Sequence, residues 1–188
     1  MKKKGLRLQY NSPVVLSFAL LSFGVLLLGL LTGGRSNTLL FSVYRSSLLD
    51  PLTWPRFFLH VLGHASFTHY ISNMMLILVI GPPLEEKYGG RALLWAIAVT
   101  ALISGLVHWL FFPGSALLGA SGIVFMMIVM SSLAGMKDGA IPVTLILVLI
   151  LYVGGEIVKG VALSDNVSQL THVIGGLCGA FLGMGLRK

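Results

Sequence analysis

Ser121 stands in the run Gly119-Ala120-Ser121-Gly122, and His172 is followed by Gly175, Gly176, Gly179 and Gly183. His69 and Asn73 are four residues apart, so on a helix they share a face. These residue types suit acyl transfer. A serine hydroxyl is a weak nucleophile until a neighbouring base takes its proton. A neutral imidazole, with a pKa of about 6.5, suits that base at physiological pH. Attack on a carbonyl builds an oxyanion that needs donors aimed at it. An imidazole N–H, a carboxamide NH2 and a backbone N–H at a helix start all qualify.

The elements that position these groups belong to a membrane domain. The chain has 188 residues, of which 56% are hydrophobic and 10% charged, with mean hydropathy +0.92. A soluble domain carries roughly 25% charged residues, and a disordered chain needs low hydrophobicity. Both classes are excluded, and no polar block is long enough to fold separately, so residues 1–188 read as one domain. The net charge of +7 does not indicate nucleic acid, because the basic residues sit in short clusters between apolar runs. Cys178 is the single cysteine and allows no internal disulfide.

A bilayer core requires about 20 apolar residues per helix. That ruler predicts six spans, over 13–33, 67–84, 92–112, 120–136, 140–158 and 168–186. The first apolar run is too long for a cleaved signal peptide. Six spans put both termini on one face, with nine basic residues there against four on the other. The richer face is expected to be cytoplasmic. The 33-residue stretch 34–66 is long and dotted with Leu, Trp and Phe, which predicts one or two amphipathic helices in the outer interface.

Intramembrane polar residues are functional candidates by default. His69 and Asn73 fall in the first two turns of span 2, Ser121 in the first turn of span 4 and His172 near the second turn of span 6. Spans 2, 4 and 6 run in the same direction, so all four residues share one depth in the outer leaflet. Opening its span, Ser121 offers its own N–H as a free donor of a helix start. Gly175, Gly179 and Gly183 form a small-xxx-small ridge, and His172 lies on it. If that ridge meets span 4, His172 reaches Ser121.

From Trp54 to the end of span 6, about 70% of the length, the chain resembles the rhomboid intramembrane serine proteases of the bacterial six-helix type. The resemblance rests on Trp54-Pro55-Arg56 and on His60, His64, His69 and Asn73 in His-x3-His-x4-His-x3-Asn spacing. It rests also on Glu86-Lys87 with Gly89, the Gly-x-Ser-Gly of Gly119 to Gly122, and His172-x2-Gly175-x3-Gly179. It implies an all-α, compact six-helix bundle with a membrane-embedded first loop. It implies Ser121 as nucleophile, His172 as base, and His69, Asn73 and the Ser121 N–H as the oxyanion site. It implies cleavage of other proteins' transmembrane helices, with no cofactor or metal. Two departures stand out. A proline splits the family's Trp-Arg pair, and Phe125 replaces a tyrosine often found four residues after the serine. A phenyl ring stacks on His172 but forms no hydrogen bond.

Blander readings compete. Gly-x-Ser-Gly and a lone histidine beside glycines are each common packing features. His60 and His64 have metal-pair spacing, but no adjacent Glu or further ligand completes a site, so they read as loop-packing residues. Trp54 and Arg56 read as interface anchors, and Glu86, Lys87 and Arg91 as a cytoplasmic loop network. Glu156, near the outer end of span 5, is expected to reach water or Lys159. Gly154-Gly155, near its outer end, make span 5 the candidate gate for substrate access. The rivals to proteolysis are a non-catalytic rhomboid-like protein that binds transmembrane segments and a small proton or metal transporter. The former typically lacks the serine or the histidine, and the latter commonly shows repeats or chains of intramembrane carboxylates. The location expected is a bacterial plasma membrane, with the site opening to the outer face.

Overall fold

The computed structural model describes residues 10–135 and 166–186, and positions 143, 146, 147 and 150 between them. Among the described residues the regular elements are helices, plus one isolated bridge between Val43 and Leu117. Helix α1 spans Pro13–Leu31, α2 Arg35–Leu40 and α3 Thr53–Leu59, and a 3-10 turn covers His60–Leu62. Then follow α4 (Phe67–Tyr88), α5 (Gly90–Phe111), α6 (Ser121–Ala134) and α7 (Asn166–Gly185).

Three of the six expected spans appear as helices long and apolar enough to cross a membrane, namely α1, α4 and α5. α6 is a shorter apolar helix, and α7 is apolar over Leu170–Gly185. Of the span expected at 140–158, Val143, Ile146, Leu147 and Ile150 are described, all helical and exposed. Gly154, Gly155, Glu156 and Lys159 lie outside the described residues. So do the basic clusters at the two ends of the chain; Lys87 and Arg91 are described, on either side of the α4–α5 turn.

α1 begins with Pro13, whose missing N–H costs nothing at a helix start. The cap comes from far along the chain. Glu85 Oε1 accepts from Val14 N at 3.0 Å, and Oε2 accepts from Val15 N at 3.0 Å. A buried carboxylate thus satisfies two orphan donors at the positive end of the helix. Gly81, one turn earlier in α4, lets the two helices approach, since a Cβ there would lie 2.7 Å from Val15 Cγ2. α4 was expected to end at 84 but continues to Tyr88. Its charged end is held by partners: Glu85 caps α1, and Lys87 Nζ donates to Ala134 O. Charge therefore ends the apolar run without ending the helix. Gly89 alone joins α4 to α5, at φ +86°, a region that favours glycine.

α6 is the central element. Every residue from Gly122 to Met130 is buried, as expected of a helix apolar all round. Its 14 residues rise about 21 Å, less than the ~30 Å of a hydrocarbon core. The Lys87 bond ties its last carbonyl to the face that carries the α4–α5 turn. Its first residue, Ser121, is therefore recessed below the opposite face.

The stretch 34–66 is less helical than the sequence predicts, because side chains rather than long amphipathic helices order it. α2 and α3 have only six and seven residues. Arg56 was expected at the interface and is instead buried. Its Nη1 meets Asp50 Oδ2 at 3.1 Å, its Nε donates to Leu39 O at 2.9 Å, and its guanidinium lies 4.7 Å from the Tyr44 ring centroid. Arg56 lies on the inner face of α3 while Trp54, two residues earlier, stays exposed. Leu48, Leu49, Trp54 and Phe58 are also exposed, giving the loop an apolar outer face.

Glu85→Ala is expected to lower stability by about 1–2 kcal/mol, the range for loss of a helix cap. Glu85→Gln, which keeps one acceptor, should lose less. Thermal unfolding in detergent measures both.

Candidate active site

The segment entering α6 is stitched to the first loop. Val43 N donates to Leu117 O at 2.9 Å, and Leu117 N returns a bond to Val43 O at 2.8 Å. Gly119 N donates to His60 O at 2.9 Å. Arg45 Nη1 donates to Trp109 O at 2.8 Å at the end of α5, and its guanidinium covers the Trp109 ring. Trp109 Nε1 donates to Ser46 O at 3.1 Å. The His60 ring, fully buried, bonds through Nε2 to Ala101 O at 3.1 Å, so one residue joins the loop, α5 and the approach to Ser121.

Gly119 has φ +125°, where a side chain would be strained. A Cβ there would also lie 2.7 Å from both Cε1 and Nε2 of His69. The His69 ring therefore lies directly against the backbone two residues before Ser121. Ser66 opens α4 and its Oγ accepts from His69 N at 3.1 Å, which fixes the turn that carries the ring. Asn73 is buried one turn later, and its Nδ2 donates to His69 O at 3.1 Å. This uses one of the two amide hydrogens and leaves the other for a further acceptor.

Ser121 is the first residue of α6 and half-buried, so its N–H lacks an intrahelical acceptor. Phe125, one turn on, lies flat against His172, with ring centroids 4.3 Å apart and an interplanar angle of 8°. His172 is buried. The glycine ridge of α7 packs against α6, which is the condition for His172 to approach the start of that helix. A Cβ on Gly175 would run into the carbonyl of Gly122, and one on Gly179 into the backbone of Met126. On Gly183 it would meet the Leu133 side chain at 3.1 Å. On the α6 side, a Cβ at Gly122 would lie 3.1 Å from Thr171 Cγ2.

The structure thus brings together Gly119 with His69, Asn73 with His69, Phe125 with His172, and Gly122 with Gly175. Sequence reasoning missed Glu85, Ser66, Val43 with Leu117, and the backbone of His60. Ser66 carried a signal, being an N-cap type just before an apolar periodic run. The pairing of Val43 with Leu117 carried none.

His60 and His64 lie in the loop, outside the spans, and each spends a ring nitrogen on a backbone carbonyl, Ala101 O for His60 and Leu62 O for His64. Burial pushes the His60 imidazole down to about 4, against the opposing pull of the Ala101 bond. Burial, helped by neighbouring His69, pushes His64 down to about 4 as well.

The rhomboid domain family matches residues 51–188. Rhomboid-related protein 1 of Caenorhabditis elegans is 30% identical over 68% of this chain and 38% of its own length. Rhomboid-like protein 11, chloroplastic, of Arabidopsis thaliana is 29% identical over 72% of this chain and 53% of its own length. Rhomboid-related protein 2 of Mus musculus is 28% identical over 68% and 46%. The chain therefore spans about half or less of the length of these relatives. It belongs to the rhomboid family, and with its long apolar helices it is an integral membrane protein.

Two outcomes follow. In the ridge, Gly175→Ala and Gly179→Ala should each destabilise by about 1–3 kcal/mol, the usual cost of overpacking. Gly176→Ala, whose Cβ would find only Val129 Cγ2 at 3.9 Å, should be nearly neutral. Melting temperatures of the purified variants give that ranking. For the loop histidines, the folded state refuses a proton that the unfolded state accepts below pH 6.5. Stability should therefore fall as pH drops from 6.5 toward about 4, with no further loss from these groups below that. Unfolding midpoints across that window, with and without His60→Gln, test the sign.

Proposed function

We propose that this chain is an intramembrane serine protease that cleaves transmembrane helices of other membrane proteins with a Ser121–His172 dyad. The observation that carries the reading is the flat stacking of His172 on Phe125, one turn from Ser121, on two helices held at backbone contact. Family membership supports it, since the rhomboid domain match over residues 51–188 takes in both Ser121 and His172.

In this mechanism Ser121 Oγ attacks the scissile carbonyl carbon while its proton passes to His172. The new oxyanion is met by the Ser121 N–H, the His69 ring and the remaining Asn73 amide hydrogen. Collapse breaks the C–N bond, and His172 returns the proton to the leaving amine. A water then gives its proton to His172 and attacks the acyl-enzyme ester, and the serine leaves with that proton. The recess of Ser121 suits a peptide bond lying within the outer leaflet. A helical carbonyl is already hydrogen-bonded, so substrates with helix-weakening residues at that depth unwind more easily. The membrane is proposed to be a bacterial plasma membrane, with N and C termini in the cytoplasm and the site open to the outer face.

The test is cleavage of a tagged transmembrane substrate in proteoliposomes. Wild type should give product, and Ser121→Ala and His172→Ala should each lose at least about 10³-fold, as for other dyad and triad members. A fluorophosphonate probe should label Ser121 in wild type and not in His172→Ala. Product that survives Ser121→Ala would sink the assignment. Absence of both product and label in wild type would shift it to a binding protein of the same family.

A further inference from the structure

An apolar groove of about 450 Å3 runs between α1 and α5, lined by residues within 13–21 of α1 and 94–101 of α5. That volume lies in the range of ligand sites, roughly 300–1,000 Å3. The 3-10 turn closes one end. Val61 and Leu62 line it there, and the His60–Ala101 bond sets this turn level with Ala101. From Arg91 to Ala101 α5 rises about 15 Å, half of a ~30 Å hydrocarbon core. The lining from Leu94 to Ala101 accounts for about 10 Å of that rise, with Arg91 a further turn toward the face, so the groove is floored near the bilayer centre. It opens to the face where Glu85 meets the start of α1.

Charge marks that mouth. Arg91, Leu94, Ala98 and Ala101 follow the three- and four-residue steps of one helix stripe. Arg91 thus stands one turn from the wall of the groove. It is exposed and makes no ion pair among the described residues. It also lines, with Lys87, a second depression at the α4–α5 turn. An apolar slot within one leaflet, with Arg91 one turn beyond its wall, matches one acyl chain below an anionic headgroup.

We propose that this groove holds one acyl chain of an anionic glycerophospholipid from the leaflet on the N-terminal side, with its phosphate at Arg91. The lipid fills the space between α1 and α5, two helices that otherwise meet mainly through α4 and the loop. The site lies away from Ser121 and does not depend on the chain being a protease.

The test uses the full-length protein in detergent, mixed with equal amounts of phosphatidylglycerol and phosphatidylcholine and analysed by native mass spectrometry. Wild type should retain one phosphatidylglycerol in preference. Arg91→Gln should reduce that preference about fivefold, the effect of one basic residue at an anionic lipid surface. Ala98→Phe should fill the groove and abolish retention, whereas Val79→Phe, on an exposed face of α4, should leave it unchanged. A second measurement needs no groove variant. In nanodiscs of the Trp54→Phe/Trp109→Phe protein, Trp95 beside the groove should be quenched more by acyl-brominated phosphatidylglycerol than by the same mole fraction of brominated phosphatidylcholine. Equal retention of the two lipids, retention by Ala98→Phe at the wild-type level, or equal quenching would each overturn the proposal.

Discussion

The contact between Gly175 and the carbonyl of Gly122 is the constraint on which the rest of the site depends. Lipid tails are as apolar as leucine, so two membrane helices gain little by hiding leucines from them. They associate by close backbone approach, which requires positions without side chains. The ridge on α7 supplies these at one-turn intervals, facing Gly122, Met126 and the Met130–Leu133 turn in order. Once the helices are in register, the residue one turn before Gly175 can only lie over the first turns of α6. That residue region includes His172, and it lands on Phe125. Helix packing thus sets the position of the imidazole without any hydrogen bond from Phe125, which has no hydroxyl to give.

The second constraint is the short length of α6. A helix of 14 residues tethered at one face cannot reach the other. Some other part of the chain must cover the missing depth, and the first loop does so. Its buried polar groups would be costly in hydrocarbon. Here each has at least one partner, Arg56 in Asp50 and Leu39 O, His60 in Ala101 O and His64 in Leu62 O, while the second ring nitrogens of His60 and His64 are buried without one. The outer surface of the loop is left to Leu48, Leu49, Trp54 and Phe58. Polar inside and apolar outside is the reverse of a soluble loop, and it suits a segment wedged against a bilayer.

Helix periodicity and small-residue spacing made much of this legible in advance. The ridge Gly175-x3-Gly179-x3-Gly183, the i, i+4 pair His69 and Asn73, and the helix start at Ser121 are all local patterns. Local patterns survive into the fold because they depend on one helix at a time. The long-range bonds were not legible. Nothing in Glu85 distinguishes it from Glu86 until α1 stands beside it, and the turn of α4 then selects which carboxylate faces inward. Arg56 looked like an interface anchor because Trp and Arg often are, but its pairing with Asp50, six residues earlier, holds it inward. Val43 and Leu117 are 74 residues apart and apolar, so their backbone pairing leaves no mark in side-chain type.

The same distinction explains how a hydroxyl and an imidazole are held steady in a chain so poor in polar residues. Ser121 and His172 come from separate helices and share no sequence neighbourhood. Their helices are positioned by glycine contacts, which have no rotamers to sample and therefore little freedom to drift. The groups around them are positioned by backbone carbonyls: His60 O holds Gly119, and His69 O holds Asn73. A backbone carbonyl in a helix or a braced loop is fixed by its neighbours, unlike a long polar side chain. A site assembled from backbone contacts thus needs few polar side chains, which keeps the solvation cost of placing it within a membrane low. It also ties each geometric element to a particular small residue, so Gly119, Gly122, Gly175 and Gly179 carry as much of the arrangement as Ser121 and His172 themselves.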